Sequence, residues 1–240
     1  MKNLKKNAGE NIYASRANWS FGGKIAKNFD NHINKSVPLY QWTHDLTLSY
    51  SDYFIHEGSK IYDIGCSTGV LINKIAQRNI KKKINLIGID NQKNMISHAK
   101  KNSIKSKSIK FMFSDFFNFK FNTSSLFLSL FTIQFIHPSK RQELFDKVYS
   151  NLEWGGAFIF FEKVRGPDAR FQDMLSNLYI EYKIDSGYSE SEIIAKQLSI
   201  KGVLEPFSSK ENINFIKRAG FKDHMIIFKF LCFEGYLAIK

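Results

Sequence analysis

Between residues 60 and 162 the chain alternates between short, almost wholly apolar runs and longer stretches in which apolar positions recur every three or four residues. The short runs are Lys60–Ile64, Asn85–Ile89, Ile109–Phe113, Leu126–Phe131 and Ala157–Glu162. They predict buried parallel strands, because a strand covered on both faces carries apolar side chains at successive positions. The amphipathic stretches Gly69–Gln77, Lys93–Asn102 and Lys140–Leu152 predict helices. The last follows His137-Pro138-Ser139, with Ser139 as its expected N-cap. Regular βα alternation implies a doubly wound sheet with right-handed crossovers.

The flanks are different. Residues 1 to about 20 read as loosely structured, with Trp19 and Phe21 as a docking point. A helix is expected from Gly23 to about Ile33, and a second from Tyr40 to about Phe54 after the break at Ser36–Tyr40. From Gly166 to Ser208 the alternation stops, and a mostly helical pattern is interrupted at Asp185–Ser189. This stretch predicts an insertion after the fifth strand, packed over the strand ends. The chain resumes with a helix at Ser209–Ala219, stopped by Gly220, and two strands at Asp223–Phe230 and Phe233–Ile239. A tight turn between them suits an antiparallel hairpin. The expected organisation is an N-terminal helical segment (1–55) covering a ligand site, and a body (56–240) with a cap at about 166–208.

The candidate chemistry lies where strands end. Asp63-Ile64-Gly65-Cys66-Ser67-Thr68-Gly69 reads as a strand running through a Gly-containing turn into a helix. Gly65 and Gly69 allow a close backbone approach to a ligand. Asp90 ends the next strand, 21 residues after Gly69, where a carboxylate takes both ribose hydroxyls of a nucleoside. Asn91 reads as the better cap of the helix that follows. A dinucleotide fingerprint starting at Gly65 would carry two further glycines, but Ser67 and Val70 stand there. The turn therefore suits a nucleoside with a compact amino-acid tail, as in S-adenosylmethionine (SAM). Asp115 and Phe116, after the third strand, are placed for the adenine amino group and ring.

Composition narrows the classes. With 240 residues, 43% hydrophobic and 15% aromatic, the chain is long enough for one sizeable core. The formal net charge is +13, but the basic residues are spread along the sequence. Direct nucleic-acid binding is thus possible on charge but not favoured. Two distant cysteines, Cys66 and Cys232, give neither a disulfide framework nor a metal-type spacing, and no metal is expected. No signal-like or membrane-spanning run is visible, so the expectation is a cytoplasmic protein without membrane contact.

Glu162 and Lys163 end the fifth strand, where a carboxylate points into the crevice as a general base or pairs with a nearby cation. Tyr188 and Gln197 lie in the insertion, above any bound substrate. Of six histidines, only His137 is predicted near a strand end.

With these pieces in place, the chain resembles the carboxy-S-adenosyl-L-methionine synthases, class I methyltransferase-fold enzymes that work upstream of a wobble-uridine modification in bacterial tRNA. The likeness runs from about Trp19 to Lys240. It is carried by Lys35–Tyr40, Asp63–Gly69, Gly88–Asn91, Thr132–Phe135, Lys140–Leu144, Gly187–Glu190 and Arg218–Phe221. It implies an α/β, Rossmann-like fold with a mainly parallel seven-stranded sheet, an antiparallel C-terminal hairpin, N-terminal helices and a helical cap. It also implies a homodimer, and cofactor contacts from Tyr40, Gly65, Cys66, Ser67, Asp90, Asn91, Asp115 and Phe116. Two positions depart. The family places an asparagine where Leu130 stands, and an arginine that holds the cofactor's added carboxylate where Gln197 stands.

An Arg–carboxylate pair is worth roughly 1.5–3 kcal/mol when shielded from water, about one to two decades of affinity. Gln197 offers a neutral amide instead. The sequence by itself therefore favours SAM-dependent methyl transfer to a small-molecule acceptor, with Glu162, Tyr188, His137 and Gln197 as the candidates nearest the chemistry. The alternative is the family reaction itself, which uses SAM and prephenate to make carboxy-SAM, with Lys196 or Arg165 as a substitute cation. A non-catalytic RNA-binding module is a third reading.

Overall fold

In the computed structural model, which describes residues 4–23 and 25–240, the chain begins with a two-residue antiparallel pair, β1 (Lys6–Asn7) and β2 (Tyr13–Ala14). This pair was not legible in the sequence. Its extension docks on the cap: the Ala17 and Trp19 amides donate to the carbonyls of Leu198 and Ser199 at 2.8 and 3.0 Å. Trp19 is buried beside Phe21, as expected of a docking point. Helix α1 (Phe29–Ser36) starts later than the predicted Gly23, because Ile25–Lys27 forms a separate 3₁₀ turn. Lys24 lies outside the described residues. Helix α2 (Tyr40–Ser51) follows Pro38, which cannot continue α1.

The remaining elements are β3 (Lys60–Ile64), α3 (Val70–Arg78), β4 (Asn85–Asp90), α4 (Lys93–Asn102), β5 (Ile109–Phe113), β6 (Ser124–Leu130), α5 (Pro138–Asn151), β7 (Leu152–Lys163), α6 (Ala169–Asp185), α7 (Glu190–Ser199), α8 (Ser209–Ala219), β8 (Asp223–Phe230) and β9 (Phe233–Ile239). Strands β3 to β9 form one sheet in the order β5-β4-β3-β6-β7-β9-β8. Every pairing is parallel except those of β9, which runs antiparallel to both neighbours. The chain order reverses between β3 and β6, which places a crevice above their carboxyl ends.

One face of the sheet packs Ile61, Leu86, Leu126 and Ile159 against Leu71, Ile72 and Ile75 of α3. The other packs Tyr62, Phe127, Phe158 and Phe160 against Leu144 and Phe145 of α5 and Phe215 of α8. The apolar strand runs arise because both faces are covered.

Three boundaries differ from the sequence reading. Strand β7 starts at Leu152, which had been assigned to the preceding helix, because Ser124 of β6 pairs with it ahead of a register shift. Strand β6 stops at Leu130, because Phe131 turns out of the sheet with φ +57°. The N-cap of α5 is His137 and not Ser139; Nδ1 of His137 accepts from the Ser139 amide at 3.3 Å. The predicted cap helices are present as α6 and α7, and the Asp185–Ser189 break separates them.

Candidate functional site

Above the carboxyl ends of β3, β4 and β6 lies a cavity of about 360 Å³, within the roughly 300–1,000 Å³ typical of small-molecule sites. Its floor is the β3–α3 turn. A Cβ at Gly65 (φ +74°) would stand 2.1 Å from Thr132 Oγ1, so only glycine brings the β6 loop this close. Gly69 has another job. It is not in the cavity wall, and a Cβ there would meet Phe111 at 2.6 Å and Ala99 at 3.1 Å. The glycine expected at the ligand instead lets α3 approach α4 and β5.

Asp90 shapes this floor. Its Oδ2 accepts from the Ser67 amide at 3.0 Å, and its Oδ1 accepts from the Gln92 amide at 2.8 Å. These bonds fix the carboxylate over the turn and hold Ser67 in the left-handed region at φ +50°. Such non-glycine geometry costs about 1–3 kcal/mol and persists only where neighbours over-determine it. Asn91, expected as the helix cap, does not cap α4; the N-cap position is Gln92, with no side-chain cap bond. Asn91 faces the cavity, with its Oδ1 accepting from Gln92 Nε2.

Asp63 is 3% exposed, lines the cavity and has no hydrogen-bond or ion-pair partner among the described residues. Burial, with a smaller push from Asp90, raises its carboxyl to about 7. Asp63 thus presents a carboxyl with no protein partner to the cavity. Tyr40 and Cys66 complete this wall, and burial pushes the Tyr40 phenol and the Cys66 thiol up. On the far side stand Asp115, Phe116 and Leu130. Asp115 also accepts from the Phe117 amide at 2.8 Å, which turns the chain after β5.

The roof comes from the N-terminal segment and the cap. Tyr188 lines it, but its hydroxyl is engaged within the protein: it donates to Glu10 Oε2 at 2.9 Å and lies 3.0 Å from Ser36 Oγ. Burial raises this phenol. His32 Nδ1 meets the same Glu10 oxygen at 2.7 Å, and its Nε2 lies 3.2 Å from Lys196 Nζ. Burial pushes His32 down, so it is the neutral ring that donates through Nδ1 and leaves Nε2 as acceptor for the lysine. Burial raises the Glu10 carboxyl, but bonds from His32, Tyr188 and Lys35 outweigh it and hold the group at about 2. Burial pushes Lys196 well below its ordinary value. Lys196 and the neighbouring Gln197 both line the cavity.

Two predicted residues lie elsewhere. Glu162 is 3% exposed but faces away from the cavity; its Oε1 accepts from the Ile133 amide at 2.9 Å and ties the β6–α5 loop to β7. Burial raises it to about 8 despite nearby Arg141. It braces the loop and is not in place to act as a base. His137 caps α5 on the exposed surface and does not reach the cavity. The sequence reading missed His32, Tyr179 and Lys183, all in the wall. On an amphipathic helix such residues read as surface, and only the packing of α1 and α6 over the sheet turns them inward.

Residues 61–156 match the methyltransferase-domain family. Over 223 residues the chain is 36% identical to the carboxy-S-adenosyl-L-methionine synthase of Staphylococcus epidermidis, covering 92% of this chain and 97% of that one. It is 35% identical to the synthase of Campylobacter lari, over 92% and 94%. The chain belongs to the carboxy-S-adenosyl-L-methionine synthase family. Solved structures share the fold at low identity. The plantazolicin methyltransferase BpumL, bound to a pentazolic analogue and SAH, superposes with a TM-score of 0.65 at 16% identity over 89% of this chain and 90% of that one. Human N-acetylserotonin methyltransferase with SAM gives 0.58 at 16%, over 82% and 51%. The family is one of SAM-dependent transferases, and the mixed seven-stranded sheet is the class I methyltransferase fold, as the sequence predicted. No helix among the described residues is long and apolar enough to cross a membrane.

Proposed function

We propose that this chain makes carboxy-S-adenosyl-L-methionine from SAM and a prephenate-type carboxyl donor. This replaces methyl transfer, which the sequence alone favoured, as the leading reading. The observation that carries it is Lys196. Methyl transfer was preferred because Gln197 left no cation for an added carboxylate, yet the side chain one position earlier lines the same cavity and is aimed by His32.

In this reading Asp90 holds the ribose hydroxyls, Asp115 and Phe116 hold the adenine, and Asp63 receives the cofactor's ammonium group. Gly65, Cys66 and Ser67 let the backbone approach the amino-acid tail, while Tyr40 and Leu130 close the walls. The bound cofactor would supply a sulfonium-acidified methyl group: its C–H bond breaks, the proton going to the hydroxide that a prephenate-type donor expels on aromatising, and the methyl carbon bonds to the carbon dioxide released as that donor's C–C bond breaks. Lys196 Nζ donates to that carboxylate, whose negative charge favours the ammonium form that burial alone disfavours. Glu162 and His137 have no part in the chemistry, and Tyr188 acts by bracing Glu10 and His32.

A homodimer fits the same reading. Phe171, Met174 and Leu178 form an exposed apolar stripe along α6, spaced to share one face.

The test is incubation with labelled SAM, with and without prephenate, and mass spectrometry of every product. The expected product is carboxylated cofactor formed only with prephenate. A methylated acceptor and no carboxylated cofactor would return the protein to methyl transfer.

A further inference from the structure

The net charge is unevenly placed. Residues 58–142 hold fifteen of the 35 Lys and Arg but only three of the 22 Asp and Glu, so nearly all of the formal +13 arises there. Those three acids, Asp63, Asp90 and Asp115, all line the cavity. A compositional bias toward lysine would act along the whole chain and would not produce this asymmetry.

The fold gathers many of these cations at the end of the sheet opposite the cavity, on the loops that enter β4, β5 and β6. Lys81, Lys82 and Lys83 precede β4, Lys105 and Lys107 precede β5, Lys120 precedes β6, and all six are exposed. Backbone bonds set these loops beside the one before β3. The Gly58 amide donates to the Lys83 carbonyl, the Asn85 amide to Ser59 and the Leu86 amide to Ser108, each at 2.8 Å. Lys82 Nζ is anchored on the Ile55 carbonyl at 2.7 Å. Among the described residues the other five lysines form no ion pair. The nearby acids are engaged: Asp52 holds Arg78, Glu153 Oε1 lies 3.1 Å from His56 Nε2, and Glu57 Oε2 accepts from the Lys83 amide at 3.1 Å. Asp223 is exposed, but stands on β8 at the far edge of the sheet.

Three bulky side chains project from the same end. Tyr53, Ile80 and Trp154 are 82, 80 and 87% exposed. Trp154 is held out by backbone structure. It sits where the register of β7 slips against β6, and Gly155 and Gly156 beside it are tied to Lys240 by backbone bonds of 2.8 and 3.0 Å. Such irregularities re-aim a side chain.

We propose that this face binds single-stranded RNA. A single strand brings repeated negative charges for lysines spread over three loops, and unpaired bases for an exposed indole. Lipid fits less well, because Tyr53, Ile80 and Trp154 protrude singly from separate loops. The exposed amides of Asn85 and Asn122 stand among the lysines, and each can both donate to and accept from a 2′-hydroxyl, which selects RNA over DNA. Binding here is independent of carboxyl transfer, since the face and the cavity lie at opposite ends of the strands.

The experiment is fluorescence anisotropy of labelled oligouridine titrated with the full-length protein between about 50 and 200 mM salt. Oligo-dT, polyglutamate and anionic phospholipid vesicles are the comparison ligands. Wild type is set against Lys81→Ala/Lys83→Ala, Trp154→Ala and a charge-matched control, Lys201→Ala/Lys210→Ala, whose exposed lysines lie on the cap side. The lysine pair should lose at least tenfold in affinity, and its log–log salt slope should flatten by about 1.4, at about 0.7 per phosphate contact. Trp154→Ala should lose about tenfold with the slope unchanged. The control should stay within about twofold, and all melting curves should match wild type, which separates lost binding from lost folding. No oligouridine binding by wild type, or a loss in the control equal to that in the lysine pair, overturns the surface. Oligo-dT, polyglutamate or vesicles binding as tightly as oligouridine overturns RNA as its partner.

Discussion

Lys196 Nζ lies 3.2 Å from Nε2 of His32, a ring whose other nitrogen is held 2.7 Å from Glu10 Oε2. The three side chains come from α7, α1 and the β1–β2 connection, so a lysine of the cap is aimed by the N-terminal segment. The imidazole, anchored through Nδ1, can accept only at Nε2, and this fixes one Lys196 N–H while the Nζ rests on the face of the Trp19 ring.

The aimed lysine predicts a selective defect. Lys196→Met should weaken binding of carboxy-SAM by tenfold or more while leaving SAH affinity within about twofold. Lys196→Arg should retain most of it. Competition calorimetry with the two cofactors reads the difference. Equal losses for both would remove Lys196 from carboxylate recognition.

Asp63 predicts a pH dependence. Its folded-state value of about 7 stands above the ordinary carboxyl value of about 3.9. The fold thus favours the protonated acid: the stability this contributes is fully present below about pH 4 and is lost as pH rises toward 7. A bound ammonium favours the ionised form. SAM affinity should therefore fall below pH 7, by at most about tenfold per unit, with a proton released on binding. Asp63→Asn should flatten that slope and raise stability at pH 8. Calorimetry in buffers of different ionisation enthalpy, with melting curves at pH 5 and 8, checks both.

Asp90→Ala removes the proposed ribose clamp together with the bonds to the Ser67 and Gln92 amides. Loss of both SAM and SAH binding by tenfold to a hundredfold is expected, with about 1–3 kcal/mol lost from stability because the amides are left without their charged acceptor. Asp90→Asn should keep part of the turn, and so separate the two effects. Denaturant titration and calorimetry on the pair provide the test.

Glu162 predicts tolerance where the sequence suggested chemistry. Glu162→Gln keeps an oxygen for the Ile133 amide and removes a carboxyl that burial already favours as the neutral acid. Turnover should stay within about threefold of wild type. Glu162→Ala leaves the amide unpaired and should cost about 1–3 kcal/mol in stability. A loss of turnover beyond a hundredfold in Glu162→Gln, with an unchanged melting curve, would restore it as a base.

The β3–α3 turn predicts a steric failure. Gly65→Ala puts a Cβ 2.1 Å from Thr132 Oγ1 at φ +74°, so both contact and backbone are strained. Thr132→Ser alongside it should recover little, since the Oγ1 contact and the φ penalty remain. SAH-binding and melting measurements on the single and double variants decide this.

Much of the molecule was legible in the order of its residues. The seven sheet strands, their parallel run and the closing hairpin follow from where apolar runs stop and glycines fall, because those are local constraints on a chain that must cover both faces of a sheet. Asp63, Gly65 and Asp90 were legible for the same reason: a strand end in this topology faces the crevice. Glu162 met the same rule and broke it, since its side chain faces the loop beneath and not the cavity. Gly69 kept its place in the turn but serves helix packing.

The sequence alone determined the fold class and the strand-end carboxylates, readable from spacing along the chain, and it pointed to the family through the resemblance of its motifs. Only the tertiary structure decided which charges meet the ligand space. Glu10, His32 and Lys196 are far apart in the chain, and each looks solvated on its own element. They meet because the N-terminal segment and the cap fold over the same strand ends and bury them together, and no local pattern encodes that burial.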